Sequence, residues 1–257
     1  MNVKTSTQYP PSLMPKTTLI FGATSAMAEQ TARLLATDGE SLILAARDPD
    51  RLNVIATDLG QRGAKEVTVL PPFDAGKPET FAGLLQEAGD FDQVLIAYGS
   101  LSDQKLIEND PELVRRELQI NQDSVIDLCT RIATLFEKKG SGTLAVITSV
   151  AGLRGRQSNY IYGTAKGALN LYLQGLRNRL QPMGIRVITL LPGFVDSPMT
   201  AEIEKGPLFV SAAKAGACIH KALSTGSSDV VFVPFFWRYI MWIICALPEM
   251  LFKRLKL

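Results

Sequence analysis

The sequence predicts an α/β fold of the doubly wound kind, a seven-stranded parallel sheet with helices on both faces. Three observations carry this. Seven short apolar runs alternate with longer helix-like stretches, the pattern of strands joined by helical crossovers. The first run passes straight into a tight turn of small residues, Gly22-Ala23-Thr24-Ser25-Ala26. The 257 residues, 46% hydrophobic, suffice for one well-filled core, and no repeat or linker divides them. An eight-stranded barrel has a similar length, but it needs an eighth unit and does not require the turn.

In order along the chain, residues 1–16 are polar and punctuated by Pro10, Pro11 and Pro15. Lacking the apolar run of a signal peptide, they read as a flexible arm. Strands are expected at Thr17–Phe21, Ser41–Ala45, 67–70, 93–97, 143–148, 185–190 and Val230–Val233, within a single domain spanning 17–234. Among the helical stretches, 110–138 places Leu113, Leu118, Ile120, Val125, Leu128, Ile132 and Leu135 at spacings of mostly three to five, the apolar stripe of one long helix. Composition narrows the chemistry. With 27 Lys+Arg against 25 Asp+Glu and a net charge of +2, nothing points to nucleic acid. One histidine, His220, leaves no material for His-based metal sites or triads, so no metal is expected. Cys129, Cys218 and Cys245 are scattered and odd in number, which suits a reducing cytoplasm rather than a disulfide framework. The mean hydropathy, +0.11, is slightly apolar for a soluble enzyme.

Small residues after the first strand let backbone amides at a helix N-terminus approach a pyrophosphate. Gly22, Thr24, Ser25, Ala26 and Met27 are therefore candidate dinucleotide contacts, although a turn that binds nothing has the same look. Ala26 and Ala28 stand where such turns usually carry glycine, and alanine resists positive φ. The second strand ends in Arg47-Asp48. An acid there favours the ribose hydroxyl of NAD, an arginine the 2′-phosphate of NADP. Because Arg47 comes first, NADP(H) is expected ahead of NAD(H), the alternative being an arginine that merely closes a loop. Asp74, after the third strand, is either an adenine contact or a solvated turn acid.

Tyr162-Gly163-Thr164-Ala165-Lys166 sets a phenol and an ammonium four residues apart, on one helix face. A phenol is a poor acid–base group near neutrality until a cation favours its ionised form, so Lys166 is expected to lower the tyrosine pKa. Ser149 follows the fifth strand, placed to hydrogen-bond a substrate carbonyl. Asn121 sits mid-helix, where its amide can hold a water and extend a proton relay from Lys166.

These residues, with Asp74, the Gly22 turn and the segment from Pro192 to Thr200, resemble the short-chain dehydrogenase/reductase superfamily, whose fold is of the Rossmann type. The resemblance covers 17–234. It implies that Asn121, Ser149, Tyr162 and Lys166 are catalytic and that the tyrosine protonates a carbonyl oxygen. It also implies that Tyr162 and Lys166 contact the nicotinamide ribose, and that Ala97, Gly99, Pro192, Gly193, Val195 and Ser197 line the cofactor. The chain departs from the family pattern in three places. Phe21-Gly22 replaces Thr-Gly, two turn glycines are alanines, and Ile96-Ala97-Tyr98-Gly99 lacks the usual asparagines. These changes bear on cofactor affinity and local packing.

Residues 235–257 concentrate the apolar excess. Seventeen of these twenty-three residues are apolar or aromatic, including Trp237 and Trp242, and Lys253, Arg254 and Lys256 follow. The run is too short to span a bilayer and reads as a headgroup-level membrane contact, or else as a buried oligomer contact. Arg154 and Arg156, between Ser149 and Tyr162, are candidate ligands for a substrate phosphate; a solvated basic loop is the alternative. Together with the 96–99, 149–152 and 154–160 segments, the tail resembles the reductase partner in decaprenylphosphoryl-ribose 2′-epimerisation. The expectation is an NADPH-dependent reductase of a keto sugar on a polyprenyl phosphate, working in cell-envelope synthesis. It would be peripheral on the inner face of the cytoplasmic membrane, a homodimer or homotetramer, and supplied by a flavin-dependent oxidase. A reductase of a ketoacyl or keto-sphingoid chain and a non-catalytic NADP-binding membrane scaffold are the rival readings.

Overall fold

Alternation of apolar side chains along each strand decides the architecture. Leu19 and Phe21 enter one core while Ile20 between them enters another, and the same split recurs at Ile43 and Leu44, Val94 and Leu95, and Leu144 and Ala145. Strands apolar on both sides need cover on both faces. The computed structural model describes residues 16–226 and 228–255. The arm expected over 1–16 lies outside the described residues except for Lys16.

The elements run β1 (Thr17–Phe21), α1 (Ala26–Thr37), β2 (Ser41–Ala45), α2 (Pro49–Gln61), β3 (Glu66–Val69), α3 (Phe81–Ala88), β4 (Gln93–Ile96), α4 (Gln104–Ile107), α5 (Pro111–Leu118), α6 (Ser124–Lys139), β5 (Thr143–Ile147), α7 (Tyr160–Leu180) and β6 (Arg186–Pro192). They continue with β7 (Val195–Asp196), β8 (Val210–Ser211), α8 (Ala212–Ser224), β9 (Val230–Val233), α9 (Trp237–Ala246) and α10 (Glu249–Phe252). Seven strands form one sheet in the order β3-β2-β1-β4-β5-β6-β9, and every pair in it is parallel. This is the seven-stranded, doubly wound arrangement the sequence predicts. The chain reverses its direction of winding between β1 and β4, so the carboxyl ends of these two strands flank the crevice where such sheets bind ligands.

Three expected strand ends run one residue past the observed strands, yet the extra residues stay attached. Leu70 N donates to Leu44 O (2.9 Å), Ala97 N to Phe21 O (2.8 Å) and Thr148 N to Leu190 O (2.8 Å). The single long helix expected over 110–138 is instead two α-helices, α5 and α6, joined by a π-helical turn at Gln119–Asp123. The wide turn keeps the helix continuous while changing which way its side chains face.

Glu40 is buried at the amino ends of the central strands, opposite the crevice. Its Oε2 accepts from Thr18 Oγ1 (2.6 Å) and Gln93 Nε2 (3.0 Å), and burial outweighs these bonds to raise its pKa above the usual carboxylate range. The folded protein thus holds this proton more tightly than the unfolded chain, and stability falls as pH rises through that interval. Glu40→Gln, which keeps an acceptor for Thr18, is expected to raise the thermal midpoint by a few degrees at neutral pH. The gain should shrink as the pH drops into the carboxylate range, as calorimetry at both pH values will show.

Candidate active site

The turn after β1 is built around Gly22, the one residue of the turn with positive φ (+78°). A Cβ there would sit 2.7 Å from Tyr98 N, so only glycine allows β1 and β4 to approach this closely. Ala26 and Ala28 lie within α1 at ordinary negative φ, which explains how alanine replaces glycine there without strain. The Ser25 side chain makes no capping bond, leaving the first amides of α1, with Thr24 and Met27 beside them, facing the crevice without an intrahelical partner. Arg47 is exposed at the end of β2 and joins no ion pair among the described residues. Asp48 instead caps α2, accepting from Arg51 N (3.0 Å). Asp74 is partly occupied in its own turn, where Oδ1 accepts from Gly76 N (2.9 Å). The expected asparagine positions are filled by Ile96 and Ala97, both buried, and the next residue is Tyr98, whose ring packs on Phe73 with centroids 4.9 Å apart and whose hydroxyl meets Ser124 Oγ (3.0 Å).

Ser149 follows β5, while Tyr162 and Lys166 stand on α7. They converge because the backbone after Ser149 lies directly on that helix. A Cβ on Gly152 would fall 2.5 Å from Gly167 N, and one on Gly163 would fall 3.0 Å from Ala151 O. Ser149 Oγ accepts from Ala151 N (3.1 Å) and reaches the Tyr162 phenol. Lys166 Nζ is 5.5 Å from the centre of the Tyr162 ring.

The π-turn carries Asn121 into this cluster, fully buried. Its Nδ2 donates to Ser100 O (3.0 Å), Ser100 Oγ (3.0 Å) and Glu117 Oε1 (2.7 Å), and its Oδ1 accepts from Ser100 N (3.1 Å). The amide expected to hold a relay water is therefore clamped by protein groups. Glu117 is the residue that sequence reasoning missed. Only 3% exposed, it also accepts from Ser100 Oγ (3.0 Å) and Ser102 Oγ (2.6 Å). Its placement one helical turn before Asn121 was the available signal. Gly99 is required here too, since a Cβ would stand 2.7 Å from Asn121 Oδ1 and 3.4 Å from Lys166 Nζ. Ala97, also expected at the cofactor, is buried and bonded to β1.

Burial governs the ionisation of the pair. It pushes the Tyr162 phenol up to about 12, against the pull of the Ser149 hydroxyl, and the Glu117 charge adds to the rise. Burial brings Lys166 down to about 8, with Glu117 opposing. In the protein alone the net shift of the tyrosine is upward, because loss of water around the phenol dominates.

Beyond β6, Val195 is buried and Thr200 braces the segment, donating to Val195 O (2.6 Å) and accepting from Ser197 N (3.2 Å). Pro192 and Gly193 lie beneath the C-terminal residues. A Cβ on Gly193 would be 1.9 Å from the Trp237 ring, so the indole rests on the glycine itself. Trp237 and Met241 pack with Val150 and Leu191, making α9 a wall of the site.

The two arginines part company. Arg154 Nη1 donates to the carbonyls of Ile244 (2.8 Å), Cys245 (3.1 Å) and Leu247 (2.6 Å), and Nη2 pairs with Glu249 (3.0 Å). Its guanidinium covers Phe252 at 3.9 Å. With Nη1 and Nη2 engaged at the end of α9, Arg154 latches that helix to the segment after Ser149. Arg156 differs: among the described residues its buried Nε has no hydrogen-bond partner, and its Nη2 reaches only Met241 Sδ (3.7 Å).

The short chain dehydrogenase family matches residues 16–207. An uncharacterized oxidoreductase of Streptomyces coelicolor is 36% identical over 245 residues, covering 94% of this chain and 96% of its own. One from Mycobacterium tuberculosis is 33% identical, covering 92% and 96%. Among solved structures, a short chain dehydrogenase from Burkholderia cenocepacia in complex with NADP superposes with a TM-score of 0.80 at 21% identity, covering 94% and 98%. One from Sphingobium yanoikuyae in complex with NADPH gives 0.78 at 24% identity, covering 92% and 97%.

Glu117 gathers three side-chain donors in the interior, so its removal should be costly. Glu117→Leu removes the acceptor that the three share and is expected to lose about 2–4 kcal/mol. Glu117→Gln keeps one acceptor oxygen and should lose less. Equilibrium denaturation of the two variants side by side measures the difference.

Proposed function

The chain belongs to the short-chain dehydrogenase family, and on that premise we propose that it is an NADPH-dependent carbonyl reductase. We further propose that it acts on a keto group of a sugar carried by a polyprenyl phosphate. The observation that carries the activity is the convergence of Ser149, Tyr162, Lys166 and Asn121 beside the Gly22 turn. The residues fit the cofactor. Gly22 has no room for a side chain, the first amides of α1 lack a side-chain cap, and Arg47 has no acidic partner among the described residues. The Gly22 turn would hold the pyrophosphate, Arg47 the 2′-phosphate, and Tyr162, Lys166, Val195 and Ser197 the nicotinamide end. The bound nicotinamide would supply hydride to the ketone carbon.

The side chains divide the remaining tasks. The Ser149 hydroxyl fixes the ketone oxygen. The Tyr162 phenol, with its pKa near 12, stays protonated near neutrality and gives its proton to that oxygen as negative charge develops. The Lys166 ammonium then faces a phenolate, so its attraction grows as the reaction proceeds, which is what accelerates a step. Asn121 and Glu117 hold the lysine's surroundings in place. Positioning of these groups lowers the entropic barrier.

The sugar-phosphate assignment rests on the resemblance of the 154–160 segment and the tail, and on Arg156. Its buried, unpartnered Nε stands between the Ser149–Tyr162 segment and α9, where a phosphodiester would complete it. On this reading a flavin-dependent oxidase makes the ketone that this chain reduces.

Tyr162→Phe should lower turnover by about 10²–10⁴-fold while titration shows that NADPH still binds. Near-normal turnover would remove the mechanism. The rate of reduction should fall as pH rises through about 8, where Lys166 loses its proton; a profile flat to pH 10 would contradict the role of the ammonium.

Substrate choice is tested by following NADPH and NADH consumption with a polyprenyl-phosphoryl 2-keto pentose, a ketoacyl thioester and a keto-sphingoid base. The first with NADPH is expected to dominate. Arg156→Met should weaken it by about 10–100-fold, the worth of a charge-assisted hydrogen bond, and leave a small uncharged ketone unaffected. Preference for a lipid-chain ketone, or indifference to Arg156, would refute the assignment.

A further inference from the structure

Helix α9 has two unlike sides. Trp237 and Met241 are buried against the candidate site, whereas Tyr239, Trp242 and Ile243 are 63%, 73% and 57% exposed, with Phe235 in the preceding turn at 72%. Spacings of three and four residues put the exposed group on one face. The next helix behaves alike: Phe252 is buried under Arg154 while Met250 and Leu251 are exposed. Charge on the segment is one-sided. Arg238, Lys253 and Arg254 are exposed, and no ion pair among the described residues neutralises them. Glu249, the acid of the segment, is bonded to Arg154 at 3.0 Å.

We propose that α9 and α10 form a platform that lies flat on an anionic lipid surface. Aromatic rings beside cations are the chemistry of the headgroup layer, where tryptophan and tyrosine keep an apolar body and a polar edge satisfied together. Anionic headgroups complement the three cations. A second copy of the chain is a poorer occupant, because a two-fold contact brings the same cations face to face. None of the helices described is long and apolar enough to cross a membrane, and the ten residues of α9 reach only about 15 Å. The inner side of the platform holds the segment after Ser149 through Arg154. The reaction site therefore adjoins the lipid layer, and a ketone on an apolar chain can reach it without being drawn fully into water. The surface is argued from its own residues and holds whichever ketone is reduced.

Co-sedimentation of the full chain with vesicles of phosphatidylcholine, with and without phosphatidylglycerol, tests this. Binding is expected to the anionic vesicles, much less to the neutral ones, and to weaken with salt. Arg238→Gln with Lys253→Gln should reduce it roughly 30-fold, with the circular dichroism and thermal midpoint unchanged. A second measurement needs no charge variant. The two tryptophans are Trp237, buried, and Trp242, exposed, so lipid contact should blue-shift the emission and brominated lipid should quench it. Trp242→Phe should abolish the shift but keep sedimentation. Absence of binding to anionic vesicles, binding indifferent to the two cations, or a dimer that Trp242→Glu dissociates would each overturn the proposal, the last by assigning the face to a second copy.

Discussion

The site depends on one close approach, that of the backbone after Ser149 to helix α7. Two glycines, Gly152 and Gly163, remove the side chains that would hold these elements apart. Without that contact Ser149 would stand at the end of a strand and Tyr162 on a helix, with no shared oxygen to address. With it, a hydroxyl and a phenol from different elements point at one spot, fixed by backbone packing rather than by flexible side chains. The rest follows outward. Lys166 is held one turn beyond Tyr162, Gly99 leaves space for its ammonium, and the π-turn presents Asn121 to the same pocket.

The electrostatics of the cluster come from scarcity. One lysine and one glutamate are buried together among hydroxyls and an amide, and the carboxylate opposes the effect of burial on the lysine. A charged pair taken out of water is costly unless its remaining hydrogen-bonding capacity is met. Ser100, Ser102 and Asn121 meet it for the carboxylate. The lysine ammonium is less well compensated, and burial lowers its pKa.

Much of this was legible in the sequence where the relevant geometry is local. Strand alternation gave the sheet, and the four-residue spacing of Tyr162 and Lys166 is a property of any helix. Asn121 was legible as a residue, but not the π-turn that aims it, since an extra residue in a helical turn has no distinctive composition. Glu117 was hidden beside Arg115 and Arg116, where an acid reads as part of a solvated charged face. The contacts of Arg154 were hidden for a different reason. Its partners are main-chain carbonyls some ninety residues away, and carbonyls carry no side-chain signature. Side chains announce themselves in a sequence; the backbone groups they bind do not.

The indole seated on Gly193 ties two distant positions into a single variable. Any side chain at 193 must evict Trp237, and any smaller residue at 237 opens a void above the Pro192-Gly193 turn. Neither position can drift alone at low cost, so the turn beneath the cofactor region and the aromatic helix must change in concert. Redesign of the substrate chamber therefore has to treat these two residues as one coupled choice, with the size of the ring setting the size of the space.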